Sequence, residues 1–100
     1  MIGLDTNVLV RYVMQDDPKQ SPRATRLVES LTPEAPGFVP LVVVVELVWV
    51  LSGSYGLARA QLAAVLEALL RAKELVIDRA ALVSQAADRH ARAGADFADA

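Results

Sequence analysis

Acidic residues stand at positions where a catalytic metal site can form, and they are spread along the whole chain: Asp5, Glu46, Asp96 and Asp99. Asp5 directly follows a short apolar run, residues 2–4, that is typical of a β-strand. Ligands of open α/β sheets gather at the carboxyl ends of the strands, so a carboxylate at this position is expected in a binding crevice. The alternative is that Asp5 only caps the helix that follows it.

Glu46 lies in the most apolar part of the sequence, with three valines before it and Leu47 and Val48 after it. A charge on so apolar a helix is costly to bury unless it is paired or bound to a metal ion. No other residue between 41 and 51 is charged, so a solvent-facing stripe on this helix is poorly supported. We therefore interpret Glu46 as a functional residue.

Asp96 and Asp99 are three positions apart and share one face if a helix forms there. Like charges at this spacing repel each other, and a bound cation would relieve the repulsion. The alternative is that Asp96 caps the helix and Asp99 lies in its first turn, where the helix dipole favours acids. Their placement alone leaves both interpretations open.

The residue types restrict the kind of site that is possible. The chain has no cysteine and one histidine, His90, which excludes thiolate metal sites, cysteine nucleophiles and histidine-rich zinc sites. Carboxylates without such ligands indicate a hard cation, Mg²⁺ or Mn²⁺, which takes up phosphate oxygens and activates water for hydrolysis. Without the four candidate acids, the chain has eight acidic and ten basic residues. The remaining net charge of +2 is compatible with an RNA substrate. Arg11, Arg23 and Arg26 could contact phosphates, but isolated helical arginines are usually only solvated, which is the expectation here.

Short apolar runs alternate with helical patterns, which predicts an α/β fold with a parallel sheet. Strands are predicted at residues 2–4, 37–39 and 75–77, and helices after Asp5 and at residues 18–31, 41–51, 58–71 and 79–93. The run 41–51 has four consecutive valines that favour a strand, but its length and Pro40 favour a helix, which we predict. Trp49 is expected in the core, and Asp78 is expected to cap the last helix.

Length and composition indicate one globular domain over residues 1–100, since 54% of the residues are hydrophobic and 22% are charged. No signal peptide is visible, and the longest apolar run, residues 38–51, is too short to cross a bilayer. We expect a cytoplasmic protein without membrane contact. Residues 95–100 look like the first turn of a further helix, so we expect the domain to be incomplete at its C-terminus.

Three segments together resemble the PIN domain family: residues 2–9 (IGLDTNVL), residues 45–47 (VEL) and residues 96–100 (DFADA). More narrowly, the chain resembles the VapC-type toxin ribonucleases of bacterial toxin–antitoxin pairs. The opening LDTN is moderately specific by itself. Its combination with Glu46 and the terminal acids, in this order along the chain, is much more specific.

The resemblance implies a three-layer α/β/α domain with a parallel sheet, whose last strands are absent from this chain. Its acids would bind Mg²⁺, or alternatively Mn²⁺, and a metal-activated water would cleave an RNA phosphodiester bond. The family's acids fall on Asp5, on Glu46 and on either Asp99 or Asp96, with Asp99 fitting the family's helix start better. Thr6 and Asn7 match the polar residues that steady the first acid.

The resemblance also implies partners. Members of the family usually form homodimers and are held inactive by a small antitoxin protein whose tail crosses the acidic cleft. The leading prediction is therefore a metal-dependent endoribonuclease toxin, and the alternative is a non-catalytic PIN-like module that dimerises or binds an antitoxin. A phosphohydrolase with Asp5 as a covalent nucleophile ranks last, because residues 5–7 lack the second acid that this chemistry needs.

Overall fold

Three short strands form a parallel sheet in the computed structural model, which describes residues 1–80, 83–86 and 88–89. They are β1 (Ile2–Gly3), β2 (Gly37–Val39) and β3 (Leu75–Ile77), in the spatial order β1-β2-β3. The register places Ile2 opposite Gly37 and Phe38 opposite Val76. The predicted α/β fold with a parallel sheet is confirmed, because each pair of neighbouring strands is connected through helices that return the chain to the same end of the sheet.

Two helices follow β1, and two more connect β2 to β3. They are α1 (Thr6–Met14), α2 (Gln20–Glu29), α3 (Leu41–Gly53) and α4 (Arg59–Arg71). Residues 80, 83–86 and 88–89 are also helical. Helix α2 begins at Gln20, two residues later than predicted, and its N-cap residue, Lys19, makes no side-chain cap hydrogen bond. The Asp17 carboxylate accepts hydrogen bonds from the amides of Lys19 (2.9 Å) and Gln20 (2.7 Å) in the turn that leads into the helix.

Helix α3 starts directly after β2, and the residue that follows β3 helps to fix its first turn. The Asp78 carboxylate accepts a hydrogen bond from the Leu41 amide at 3.4 Å. The prediction that Asp78 caps its own following helix is therefore corrected: the next residue, Arg79, has a left-handed backbone (φ 51°), and the Asp78 side chain reaches α3 instead. Within the described residues, no helix combines the length and the apolarity that a bilayer span requires.

The core consists of aliphatic side chains from the strands and from the helices. Its buried members are Leu4, Leu9, Val10, Val39, Val43, Val44, Leu47, Leu51, Leu62, Leu66, Leu69, Ile77 and Val83. Trp49 does not belong to it, so that prediction is wrong: 77% of Trp49 is exposed. Helix α3 is apolar on every side, but only the side of Val43 and Leu47 can pack inward, which leaves Trp49 on the opposite side.

Candidate functional site

An open cleft of about 800 Å³ lies between the start of α1 and the middle of α3, and we call it the acidic cleft. Both Asp5 and Glu46 line it, together with Thr6 and Asn7. The end of β1 places Asp5 there, and the parallel β2 delivers the chain to α3, which carries Glu46. Two acids far apart in the sequence thus share one surface.

Asp5 caps α1 through one of its two carboxylate oxygens. Its Oδ1 accepts a hydrogen bond from the Val8 amide at 2.9 Å, and its backbone is extended, as expected for a residue that begins a helix. Within the described residues, no donor contacts Oδ2, so this oxygen is available to a cation. The same residues show no hydrogen bond from the Thr6 or Asn7 side chain to Asp5, so the backbone amide of Val8 steadies the acid.

Glu46 is exposed, which corrects the premise that its charge is buried in an apolar helix. It lies one helical turn from Val43 and Val50, which also line the acidic cleft. Its surroundings are therefore apolar on its own helix and polar across the cleft, where Asp5 and Asn7 lie. The functional interpretation of Glu46 rests on its position in the same cleft as Asp5 and not on burial.

The other two candidate acids, Asp96 and Asp99, lie outside the described residues, as does His90. Among the residues that are described, no group of three or more His, Cys, Asp or Glu side chains is close enough to hold a metal ion. Asp5 and Glu46 line the same cleft, and among the described residues no third acid completes a group with them. Their carboxylate oxygens fit Mg²⁺ or Mn²⁺, which prefer oxygen ligands and keep several waters.

A network of polar side chains forms the rim of the acidic cleft beside these acids. The Tyr55 hydroxyl donates a hydrogen bond to Oδ2 of Asp16 at 2.7 Å, and Arg11 lies 3.4 Å from Oδ1 of the same carboxylate. Arg11 also donates through its Nε to Gln20 at 3.0 Å. The network ties α1, the start of α2 and the segment after α3 together, so it fixes the shape of this end of the cleft.

The charges in the network influence each other. The hydrogen bond from Tyr55 lowers the pKa of Asp16 below its usual value, and the Arg11 guanidinium adds to this effect. In return, the Asp16 carboxylate raises the pKa of the Tyr55 phenol. Sequence reasoning missed this network, because Tyr55 and Asp16 are distant in the chain and no local spacing connects them.

Replacing Tyr55 with Phe is expected to raise the pKa of Asp16 towards its usual value, because the largest cause of the lowered pKa is lost. A carboxyl whose pKa is lowered by folding stabilises the fold above its unfolded pKa, and this contribution disappears as the pH falls through the folded pKa. The stability lost in Tyr55→Phe is therefore expected at pH 7 and is expected to shrink below about pH 4. Carboxyl NMR titration and thermal unfolding at several pH values measure both effects.

Asp17 is the internal control for this titration. The amides of Gln20 and Lys19 lower its pKa, and Tyr55 is not among the causes. Its titration is expected to be the same in Tyr55→Phe and in the wild type. An Asp16 titration that also stays unchanged would show that the hydrogen bond does not hold in solution.

The profile of the PIN domain family matches residues 2–100. The fold and the acidic cleft thus define an α/β domain with one carboxylate after a parallel strand and a second on helix α3. The chain belongs to the PIN domain family. Members of this family are generally nucleases that use divalent metal ions. Neither the curated proteins nor the solved structures compared with the chain include a significant match.

Proposed function

We propose that the protein is a Mg²⁺-dependent endoribonuclease and the VapC-type toxin of a toxin–antitoxin pair. The observation that carries this proposal is the meeting of Asp5 and Glu46 on one open cleft in a chain of the PIN domain family. The cleft volume, about 800 Å³, is large enough for a nucleotide-sized ligand. The choice of RNA as substrate and of an antitoxin as partner comes from the resemblance to VapC-type toxins.

In this proposal Asp5 and Glu46 hold the metal ion, and Asp99 or Asp96 supplies a third carboxylate. When bound, Mg²⁺ supplies the Lewis acidity that lowers the barrier to phosphodiester hydrolysis. Val8 keeps the Asp5 carboxylate oriented through its amide, which engages Oδ1 and leaves Oδ2 for the cation. Asn7 lines the same cleft and carries amide hydrogens that can bind a phosphate oxygen of the substrate.

The test is cleavage of a mixed RNA pool by the full-length protein, with Mg²⁺ and with a chelator. We expect Mg²⁺-dependent fragments of RNA and no cleavage after chelation. A DNA pool of the same lengths, run in parallel, tests the choice of RNA. Absence of cleavage by a folded, metal-supplied protein would contradict the enzyme and favour the alternative, a non-catalytic interaction module.

The outer face of α3 is a candidate surface for binding another protein chain. This face is apolar and exposed, with exposed fractions of 62% for Val42, 49% for Val45 and 77% for Trp49. Apolar side chains that are grouped in this way typically mark a surface for another protein. We assign this face to a second copy of the chain, in line with the homodimer that the family resemblance implies.

The dimer makes a measurable prediction for Trp49. Sedimentation is expected to show a dimer of the wild type at micromolar concentration and a shift towards monomer in Trp49→Glu. The exposed position predicts a change of less than about 0.5 kcal/mol in the stability of the monomer. Arg71→Glu, on the exposed side of α4, is the control and is expected to leave the dimer intact. A wild type that stays monomeric at this concentration would refute the dimer.

A further inference from the structure

A second, smaller cleft of about 370 Å³ adjoins the acidic cleft, and we call it the arginine cleft. Its polar lining includes Arg11, Gln20 and Arg23, and it also contains Asp5 and Asn7. Asp5, Asn7 and Arg11 line both clefts, so the two depressions meet at the start of α1. A ligand bound in the arginine cleft therefore extends into the acidic cleft at the start of α1, where Asp5 lies.

The two arginines of this cleft differ in their surroundings. Arg11 is only 27% exposed in its side chain, and its guanidinium is held by Gln20 and Asp16, which offsets much of its charge. Arg23 is exposed on α2, and within the described residues it takes part in neither of the ion pairs Arg11–Asp16 and Arg71–Glu67. Asp5 lines the same cleft but forms no ion pair with Arg23, so no described residue engages the Arg23 guanidinium. A guanidinium is the side-chain group best suited to bind a phosphate through two hydrogen bonds.

The acidic cleft by itself is a poor place for a polyanion. Its carboxylates repel the phosphates on either side of the bond to be cut, and Arg11 is the only cation among the described residues that line it. A strand of RNA therefore needs positive charge next to the acids. The arginine cleft supplies this charge on the α2 side of Asp5.

We propose that the arginine cleft is a subsite for a backbone phosphate of single-stranded RNA, next to the phosphate that is cleaved at Asp5 and Glu46. Arg23 contacts this phosphate directly, and Gln20 positions Arg11 at the boundary between the two clefts. The proposal rests on the proposed nuclease function for its choice of RNA. It also specifies the path of the RNA strand, because it places the nucleotide next to the cleaved phosphate along α2.

The test compares Arg23→Gln with Arg26→Gln. Arg26 is exposed one turn further along α2 but lines neither cleft, so both variants lose the same charge from the same helix. Binding of a fluorescent single-stranded RNA is measured in the presence of a chelator, which prevents metal-dependent cleavage. At roughly 50 mM salt, Arg23→Gln is expected to bind about tenfold more weakly, and its salt slope is expected to fall by about 0.7. Arg26→Gln is expected to stay within about twofold of the wild type.

Further measurements distinguish a failure of the proposed subsite from a failure of the proposed nuclease function. Arg23→Lys keeps the charge and is expected to recover part of the affinity. In cleavage assays with Mg²⁺, Arg23→Gln is expected to raise KM and leave kcat near the wild-type value. Equal binding by the Arg23 and Arg26 variants, with normal cleavage by the wild type, would overturn the subsite alone. RNA binding that depends on Arg23, without cleavage by the wild type, would overturn the nuclease and keep the subsite.

An acidic protein segment is the competing occupant. A polyglutamate peptide titrated against the same variants tests it directly. If Arg23→Gln weakens binding of the peptide but leaves binding of RNA unchanged, the arginine cleft serves a protein partner and the RNA subsite is refuted. If binding of RNA alone depends on Arg23, the subsite is supported.

Discussion

A Glu46→Gln variant is expected to lose RNA cleavage by about 100-fold or more, because a metal ion supplies several kcal/mol of transition-state stabilisation and each tenfold in rate corresponds to about 1.4 kcal/mol. The substitution removes one charge from the acidic cleft at almost constant shape. Since Glu46 is exposed, the free energy of unfolding is expected to stay within about 0.5 kcal/mol of the wild type. The loss of cleavage therefore occurs in a folded protein.

The same variant is expected to lose much of the increase in melting temperature that Mg²⁺ gives the wild type, since a ligand stabilises a protein by its affinity for the folded state. Glu67→Gln is the matched control: Glu67 is an exposed acid on α4 and does not line the acidic cleft. We expect the control to keep both cleavage and the response to Mg²⁺. A Glu46→Gln protein with wild-type cleavage and an unchanged metal response would remove Glu46 from the site.

Asp5 allows a separation of its two roles. Asparagine keeps an oxygen that can accept the hydrogen bond from the Val8 amide, so Asp5→Asn is expected to retain the wild-type stability. Alanine loses this cap, and Asp5→Ala is expected to be destabilised by about 1 kcal/mol. Both variants are expected to lose RNA cleavage by about 100-fold or more, because both lose the charged oxygens that hold the metal ion.

Chemical denaturation and initial cleavage rates, measured on both variants, distinguish the interpretations of Asp5. If Asp5 were only a helix cap, Asp5→Asn would cleave RNA like the wild type, and only Asp5→Ala would show an effect. If Asp5 also holds the metal ion, as we propose, the two variants are equally inactive although their stabilities differ.

The elements of the fold could be predicted because their signals are local. Strand β3 is a short apolar run between polar residues, and α4 carries its leucines at helical spacing. Asp5 could be placed in a crevice for the same kind of reason, since it directly follows the first strand. Even α3 could be predicted, because its length and Pro40 outweigh the strand propensity of its valines.

The orientation of side chains on α3 could not be predicted. An apolar residue occupies nearly every position of this helix, so the pattern contains no period that indicates which side faces the core. Trp49 and Glu46 were both expected inside, and both are exposed. The contact of Asp78 with the start of α3 and the hydrogen bond of Tyr55 with Asp16 are tertiary contacts, for which the sequence contains no local signal.

Asp5 and Glu46 are proposed to act together on one metal ion to cleave RNA, and this joint action is the central claim. The most direct measurement is the initial rate of RNA cleavage, with saturating Mg²⁺, for Asp5→Asn, Glu46→Gln and the double variant. Groups that act as one unit are not additive, so the double variant is expected to be about as slow as the slower single variant. Losses that multiply in the double variant would show two independent roles, and single variants as fast as the wild type would contradict the claim altogether.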